Sequence, residues 1–243
     1  MEDAPFTDDT LLDGRVKLRQ PAQGYRAAID PVFLAAALPA GAKRALELGC
    51  GAGAASLCAL ARLGDLAILG VEIDRASAEL ARFNADANGF GARFEIELGD
   101  VRRPRETGFD LVFANPPYLP AARSTLSPDP HKRRSNHEGD ADLGDWIAAA
   151  LGALRPGGTL VFVQRADRLG ALLAHLEGHA GEQIVFPLWP RAGTAAKRVL
   201  VRARKGIATP LRLAAGLALH ETDGRYTAEA DAILRGRTGL ALD

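Results

Sequence analysis

FDLVFANPPYLP, residues 109–120, joins a short apolar run to a pair of prolines, and this junction decides the fold. Residues 109–114 are apolar at all positions but one, a pattern typical of a parallel strand covered on both faces. Pro116 and Pro117 have no backbone N–H for a ladder hydrogen bond, so the strand must end before them. Asn115 is therefore predicted at the carboxyl end of a strand, the edge where open α/β sheets bind ligands.

The four residues Asn115, Pro116, Pro117 and Tyr118 are suited to hold a planar NH2 group. The nitrogen of such a group is a poor nucleophile, because its lone pair is delocalised into the neighbouring π-system. The Asn115 side-chain oxygen and the Pro116 carbonyl can each accept one of its N–H bonds and favour the pyramidal, nucleophilic form. Tyr118 would stack on the planar group, which is worth ~1–3 kcal/mol for a base. These four are the candidate catalytic residues; the alternative is an ordinary proline turn.

A glycine-rich turn is predicted earlier in the chain, between a strand at residues 44–48 and a helix at residues 54–63. Gly49, Gly51 and Gly53 would let the backbone approach a nucleotide closely, next to the free N–H groups of the helix. Their spacing differs from that of dinucleotide-binding enzymes, and the absence of a Walker lysine disfavours phosphate transfer. A glycine turn that serves only tight packing is the alternative.

Acidic residues follow the next two predicted strands, at residues 67–71 and 93–98. Glu72, at the tip of the first of these strands, is suited to the two hydroxyls of a ribose. Asp74 fits the N-cap of the following helix better. Asp100 is a candidate to accept from an adenine amino group, and the alternative is a loop aspartate without a ligand.

The remaining segments complete an α/β pattern of seven strands. Asp30 before Pro31 predicts a helix start, with Asp30 as the N-cap. A hairpin is predicted within residues 11–20. The further helices and strands are predicted at residues 143–154, 159–163, 167–177, 183–188 and 199–203, the last returning antiparallel, followed by one more strand within 210–220 and a helix capped by Thr227.

Composition indicates a globular chain of 243 residues that is 47% hydrophobic. No apolar run approaches the ~18 residues of a membrane span, and the acidic start lacks the basic region of a secretory signal, so a cytoplasmic protein without membrane contact is expected. Cys50 and Cys58 are expected to be buried, because two cysteines make no disulfide framework. No Cys/His cluster has metal spacing, and no metal is expected.

The formal net charge is zero, but basic residues are concentrated in the second half of the chain. Two runs stand out: His131, Lys132, Arg133 and Arg134 in a long polar loop at 120–142, and Lys197, Arg198, Arg202, Arg204 and Lys205. Such runs can meet phosphates, and Lys132, Arg133 and Arg134 are the candidate RNA-binding residues. A solvated loop and a charged strand face are the alternative.

LELGCGAG (46–53), Glu72, Asp100 and NPPY (115–118), in this order, resemble the class I S-adenosylmethionine-dependent methyltransferases over roughly residues 20–205. The resemblance implies a Rossmann-like fold: a seven-stranded, mostly parallel sheet with helices on both faces, and S-adenosylmethionine as cofactor. It implies a single domain, divided into an N-terminal arm and helix (1–40), a catalytic core (41–205) and a C-terminal extension (206–243). The implied cofactor-binding residues are Glu47, Gly49, Cys50, Gly51, Gly53, Glu72, Ile73, Asp100, Val101 and Asn115, with Tyr25 and Asp30 from the N-terminal segment.

Three segments narrow the resemblance to one group. Residues 20–39, NHE at 136–138 and residues 220–236 are similar to the bacterial methyltransferases that modify adenine N6 beside the anticodon of valine tRNA. The expected activity is therefore methyl transfer to an exocyclic amino group, with tRNA as the substrate.

Three alternatives stay open. Glutamine methyltransferases of peptide release factors share NPPY but usually carry a helical domain in front, and only about forty residues precede the glycine turn here. DNA adenine methyltransferases usually add a target-recognition domain. A methyltransferase fold that only binds RNA, without catalysis, is of a different class, and a fold analogy does not exclude it.

Overall fold

A nine-stranded sheet forms the centre of the molecule in the computed structural model, which describes residues 6–22, 26–117 and 141–242. Its nine strands are β3 (Arg44–Leu48), β4 (Ala67–Glu72), β5 (Phe94–Leu98), β6 (Phe109–Ala114), β7 (Leu154–Arg165), β8 (Ala180–Arg191), β9 (Arg198–Lys205), β10 (Arg212–Leu213) and β11 (Leu217–His220). Strands β1 (Phe6–Leu11) and β2 (Val16–Pro21) form a separate antiparallel hairpin. The helices are α1 (Asp30–Ala37), α2 (Ala54–Arg62), α3 (Arg75–Ala87), α4 (Leu143–Ala153), α5 (Leu169–Leu176) and α6 (Ala228–Leu234).

The strand order across the sheet is β10-β8-β9-β7-β6-β3-β4-β5, with β11 also paired to β8. All pairs are parallel except those that β9 makes with β7 and β8, so the predicted antiparallel return of β9 is confirmed. The prediction of seven strands was too low. The C-terminal segment, predicted to add one strand to those seven, adds two, β10 and β11, which pair in succession with the outer side of β8.

Helices cover both faces of the sheet, as predicted. Because side chains alternate along a strand, Ala45 enters the core under α1, α2, α3 and α6, while the next residue, Leu46, enters the core under α4 and α5. Each face is apolar along the central strands, as expected for parallel strands covered on both sides. In the described part of the chain, no helix combines the length and apolar character needed to cross a membrane.

Helix α1 begins differently from the prediction. The helix includes Asp30, its N-cap position is Ile29, and no side chain caps it, so the assignment of Asp30 as N-cap was wrong. The Asp30 carboxylate instead accepts from Arg198 Nε of β9 at 3.0 Å. This partner lies 168 residues away in the chain, so the helix-start pattern around Asp30 could not predict the ion pair. Pro31 occupies the first turn, as predicted.

The predicted N-terminal hairpin is present, and two asparagines of α3 hold it to the core. Asn84 accepts from the backbone N–H of Arg19 and donates to its carbonyl, both at 2.8 Å, and Asn88 pairs with the N–H and carbonyl of Lys17 at 2.8 and 2.7 Å. These two pairings are possible together because alternate residues of a strand point to the same side of the strand, and residues four apart in a helix lie on the same face of the helix. Asn84 also donates to the Ala52 carbonyl at 2.9 Å, so the hairpin, α3 and the glycine turn are linked.

Candidate active site

Strand register brings the ends of three strands together. β3 lies between β6 and β4, and its last residue, Leu48, is paired with Ala114 on one side and Val71 on the other. Neighbouring strands are about 4.8 Å apart. The sheet order reverses direction at this point, which is where open α/β sheets bind ligands. The residues at these strand ends are therefore neighbours along one edge: Asn115, Gly49 and Glu72.

The glycine turn has the backbone conformation that requires glycine. Gly49, Gly51 and Gly53 have φ values of +63°, +54° and +88°, a left-handed region that L side chains rarely adopt. A Cβ on Gly53 would lie 2.8 Å from the Phe94 ring, whereas one on Gly51 would meet nothing within 4 Å. The turn therefore packs tightly against β5 below and leaves open space at Gly51.

Gly70 supports the turn from below, and sequence reasoning missed it. A Cβ on Gly70 would lie 2.8 Å from Cys50 Sγ and 2.9 Å from the Phe94 ring. A glycine inside a strand pattern signals close approach of another segment, and this was the available clue. Cys50 and Cys58 are buried, as predicted, and burial raises the pKa of the Cys58 thiol.

Glu72 holds the glycine turn to the start of α3. Its side chain is buried; Oε2 accepts from the Gly51 N–H and Oε1 from the Asp74 N–H, both at 2.8 Å. Burial raises the pKa of Glu72, and these two backbone donors oppose the rise. Asp74 caps α3 by accepting from the Ser77 N–H at 2.8 Å, which confirms the N-cap prediction for Asp74.

Glu47 lies beneath the turn and is bound to a second residue that sequence reasoning missed. Its Oε2 accepts from both the backbone N–H and the hydroxyl of Ser56, in the first turn of α2. Glu47 is buried, and burial raises the pKa of its carboxyl to about 8. In the folded protein, this carboxyl is therefore largely protonated at neutral pH. The signal for Ser56 was its position, since hydroxyl residues favour the start of helices.

The other predicted site residues have different surroundings. Asp100 accepts from the Arg102 guanidinium at 2.6 Å, and Arg102 holds the pKa of that carboxyl below its usual range. Ile73 is 42% exposed beside Glu72, whereas Val101 is buried in the core under α4 and α5. Pro116 is buried and Asn115 half-buried. Tyr25, Tyr118, Lys132, Arg133 and Arg134 lie outside the described residues.

The residues along this edge fit a nucleoside-bearing cofactor. Space is open at Gly51, Glu72 offers acceptor oxygens suited to ribose hydroxyls, and Ile73 presents an exposed apolar side chain suited to a planar base. Within residues 6–22, 26–117 and 141–242, no three His, Cys, Asp or Glu side chains gather as metal ligands. The edge therefore offers a nucleoside site beside the amide of Asn115.

The fold is that of the Rossmann-like S-adenosylmethionine-dependent methyltransferases. The chain belongs to the methyltransferase small-domain family, whose model matches residues 29–177. It is an S-adenosylmethionine-dependent methyltransferase, as the sequence predicted.

Individual relatives differ in their substrates. The tRNA1(Val) (adenine(37)-N6)-methyltransferase of Aeromonas hydrophila is 31% identical over 203 residues, which cover 82% of this chain and 84% of that relative. The release factor glutamine methyltransferase of Deinococcus radiodurans is 33% identical over 150 residues, covering 59% of this chain and 53% of that relative. The solved structure of a predicted O-methyltransferase from Agrobacterium tumefaciens is 28% identical, covers 87% of this chain and 98% of that chain, and has a TM-score of 0.73.

Glu72→Gln is expected to weaken S-adenosylmethionine binding by ~1–3 kcal/mol, because it replaces one of two acceptor oxygens by a donor that faces a backbone N–H. Isothermal titration calorimetry measures the change. The matched control is Glu97→Gln. Glu97 is also buried, but it lies on β5, next to the strand of Glu72, and points to the opposite face of the sheet. Equal losses in the two variants would show that Glu72 has no special part in the cofactor site.

Glu47→Gln is expected to change how stability depends on pH. The folded-state pKa of about 8 is above the ordinary value of 4.5, so the folded protein binds this proton more tightly than the unfolded chain. The stability that the protonated carboxyl contributes is full below pH 4.5 and is lost as the pH rises to about 8. Urea unfolding across this range should show the unchanged protein losing stability relative to Glu47→Gln. If the difference in free energy of unfolding between the two proteins did not change with pH, the raised pKa of Glu47 would be contradicted.

Proposed function

We propose that the protein transfers a methyl group to the N6 amino group of an adenine in tRNA. The observation that carries this proposal is the position of Asn115: it follows β6, is succeeded by two prolines, and lies next to the glycine turn at the point where the sheet order reverses. An amide at this position can accept from a planar NH2 group.

In this reaction, residues of the protein bind the amino group and make its nitrogen more nucleophilic. Asn115 Oδ1 and the Pro116 carbonyl accept its two N–H bonds, which localises the nitrogen lone pair and aims it along the sheet edge. The prolines stiffen this turn through their fixed φ, and neither has an N–H that would compete for the acceptors. S-adenosylmethionine, when bound by the glycine turn and Glu72, supplies an electrophilic methyl on a sulfonium. Positioning of the reactants accounts for most of the rate acceleration.

The extent of similarity favours tRNA as the substrate. The relative from Aeromonas hydrophila is similar over 82% of the chain, including segments outside the family model's 29–177 match. The hairpin and α6 contribute residues to the same apolar core as α1 and α2, so the segments that flank this match are built into the molecule.

Protein glutamine is the second candidate substrate. Its carboxamide is also a planar NH2 group, and the relative from Deinococcus radiodurans is 33% identical over 150 residues.

The identity of the methylated product distinguishes the candidates. Labelled S-adenosylmethionine is incubated separately with total tRNA, with duplex DNA and with a peptide release factor, and the products are hydrolysed and analysed. N6-methyladenosine from tRNA is the expected product. Methylglutamine from the release factor, with no label in tRNA, would overturn the tRNA proposal and leave the cofactor site intact.

Asn115→Ala is expected to reduce the methylation rate by ~100-fold or more while S-adenosylmethionine affinity stays nearly unchanged, because the lost contact is used on the way to the transition state. Single-turnover kinetics and calorimetry measure the two quantities. Asn115→Asp is the matched variant: it keeps acceptor oxygens and should retain more activity than Asn115→Ala. Parallel losses of rate and cofactor affinity would instead assign Asn115 to cofactor binding or structure.

A further inference from the structure

The sheet edge beside Asn115 extends beyond the end of β6. Ala114, the last residue of β6, is paired with Phe162, but β7 continues to Arg165. Three additional residues at about 3.3 Å each raise this part of the edge by about 10 Å. Arg165 is paired with Arg198 of β9, and the strand ends continue outward through β8 to β11. The ends of these four strands form a raised rim on one side of Asn115.

Basic side chains line this rim. We define the basic rim as the following residues of β7, β8, β9 and their connections: Arg165, Arg168, Arg191, Lys197 and Arg198. Arg191 and Lys197 are exposed, and neither they nor Arg168 make an ion pair within the described residues. Arg168 lies close enough to Asp167 to help lower the pKa of that carboxyl, so Arg191 and Lys197 are the rim cations most available to an anionic ligand.

Most carboxylates near the basic rim are already paired. Asp167 binds Arg165 at 2.5 Å, and Asp30 binds Arg198 at 3.0 Å. Asp223 binds Arg225 at 2.7 Å, and Glu221 is an exposed carboxylate on the same side. The ion pairs neutralise Arg165 and Arg198 in part, so the excess positive charge of the rim comes from Arg168, Arg191 and Lys197.

A stacked aromatic pair lies at the outer end of the rim. The His220 and Tyr226 rings are 4.7 Å apart between centroids with an interplanar angle of 26°, and His220 is paired with Arg191 in the β11–β8 register. His220 Nδ1 is 3.2 Å from the Pro190 carbonyl, which fixes the imidazole, while Tyr226 is 39% exposed. A fixed, exposed ring is a surface on which an unpaired base can stack.

The rim uses only part of the second basic run in the sequence. Lys197 precedes β9 and Arg198 begins it, so both lie at this edge, but the later members of the run lie toward the opposite edge of the sheet. There Arg204 binds Glu182 at 3.1 Å, and Lys205 Nζ donates to the Leu154 carbonyl at 2.7 Å. The second basic run is therefore divided between two edges of the sheet, because a strand extends by about 3.3 Å per residue.

We propose that the basic rim, with the His220–Tyr226 stack, binds the RNA strand that flanks the target adenine; this inference rests on the proposed function. Three of these strand ends, at about 4.8 Å spacing, present cations over about 10 Å beside Asn115, enough for neighbouring phosphates of an extended strand. Cations position the backbone, and the aromatic pair receives a flanking base. An acidic peptide would use the cations but not the exposed ring, so the combination favours single-stranded RNA.

The test measures tRNA binding by fluorescence anisotropy over a range of salt concentrations. Arg191→Gln and Lys197→Gln should each weaken binding and reduce the slope of log affinity against log salt by about one unit. Tyr226→Ala should weaken binding several-fold with the salt slope unchanged, because stacking releases no counterions. Lys43→Gln is the matched control for Lys197→Gln: Lys43 is an exposed lysine that precedes β3, at the opposite edge of the sheet.

Calorimetry with S-adenosylmethionine and thermal unfolding confirm that each variant is folded. Arg191→Lys keeps the positive charge and should therefore have the same slope of log affinity against log salt as the unchanged protein. If the unchanged protein binds and methylates tRNA but the rim variants behave like Lys43→Gln, the rim proposal is wrong and the proposed function stands. If the unchanged protein neither binds nor methylates tRNA, both fail. Loss of affinity without any change in slope for Arg191→Gln and Lys197→Gln would also overturn the phosphate contact.

Discussion

The buried carboxylate of Glu72 is the interaction on which the site depends. Its two oxygens accept from the Gly51 and Asp74 N–H groups, and it thereby ties the turn after β3 to the start of α3. Burying a carboxylate is unfavourable unless it is hydrogen-bonded, and these charge-assisted bonds offset the lost hydration. The left-handed glycines can adopt the turn, but Glu72 selects one conformation of it.

Other buried polar groups stabilise the same region. Glu47 binds Ser56 beneath the turn, and Asn84 joins the turn to the hairpin through Ala52 and Arg19. Each group has partners inside a low-dielectric interior, where an unpaired polar atom is costly, so the network specifies a unique arrangement. The open space at Gly51, whose N–H binds Glu72, adjoins this network, so the network holds the proposed cofactor site in one arrangement.

The parallel register places the proposed cofactor residues and Asn115 along one edge of the sheet. β3 aligns its end with those of β6 and β4, so the glycine turn separates Asn115 from Glu72 by single strand spacings. On the other side of β6, longer strands raise the basic rim beside Asn115. The proposed cofactor residues and the basic rim therefore lie on opposite sides of Asn115, an arrangement that suits a reaction between two bound molecules.

The sequence by itself determined the local features: the end of β6 before two prolines, the glycine turn, the Asp74 and Thr227 caps and the burial of both cysteines. These follow from backbone restrictions and hydrophobic periodicity, which act between residues close in the chain. Only the tertiary structure decided that Asp30 pairs with Arg198, that Gly70 and Asn84 support the turn, and that the second basic run divides between two edges. Those outcomes depend on strand register and helix docking, which bring together residues that no local pattern connects.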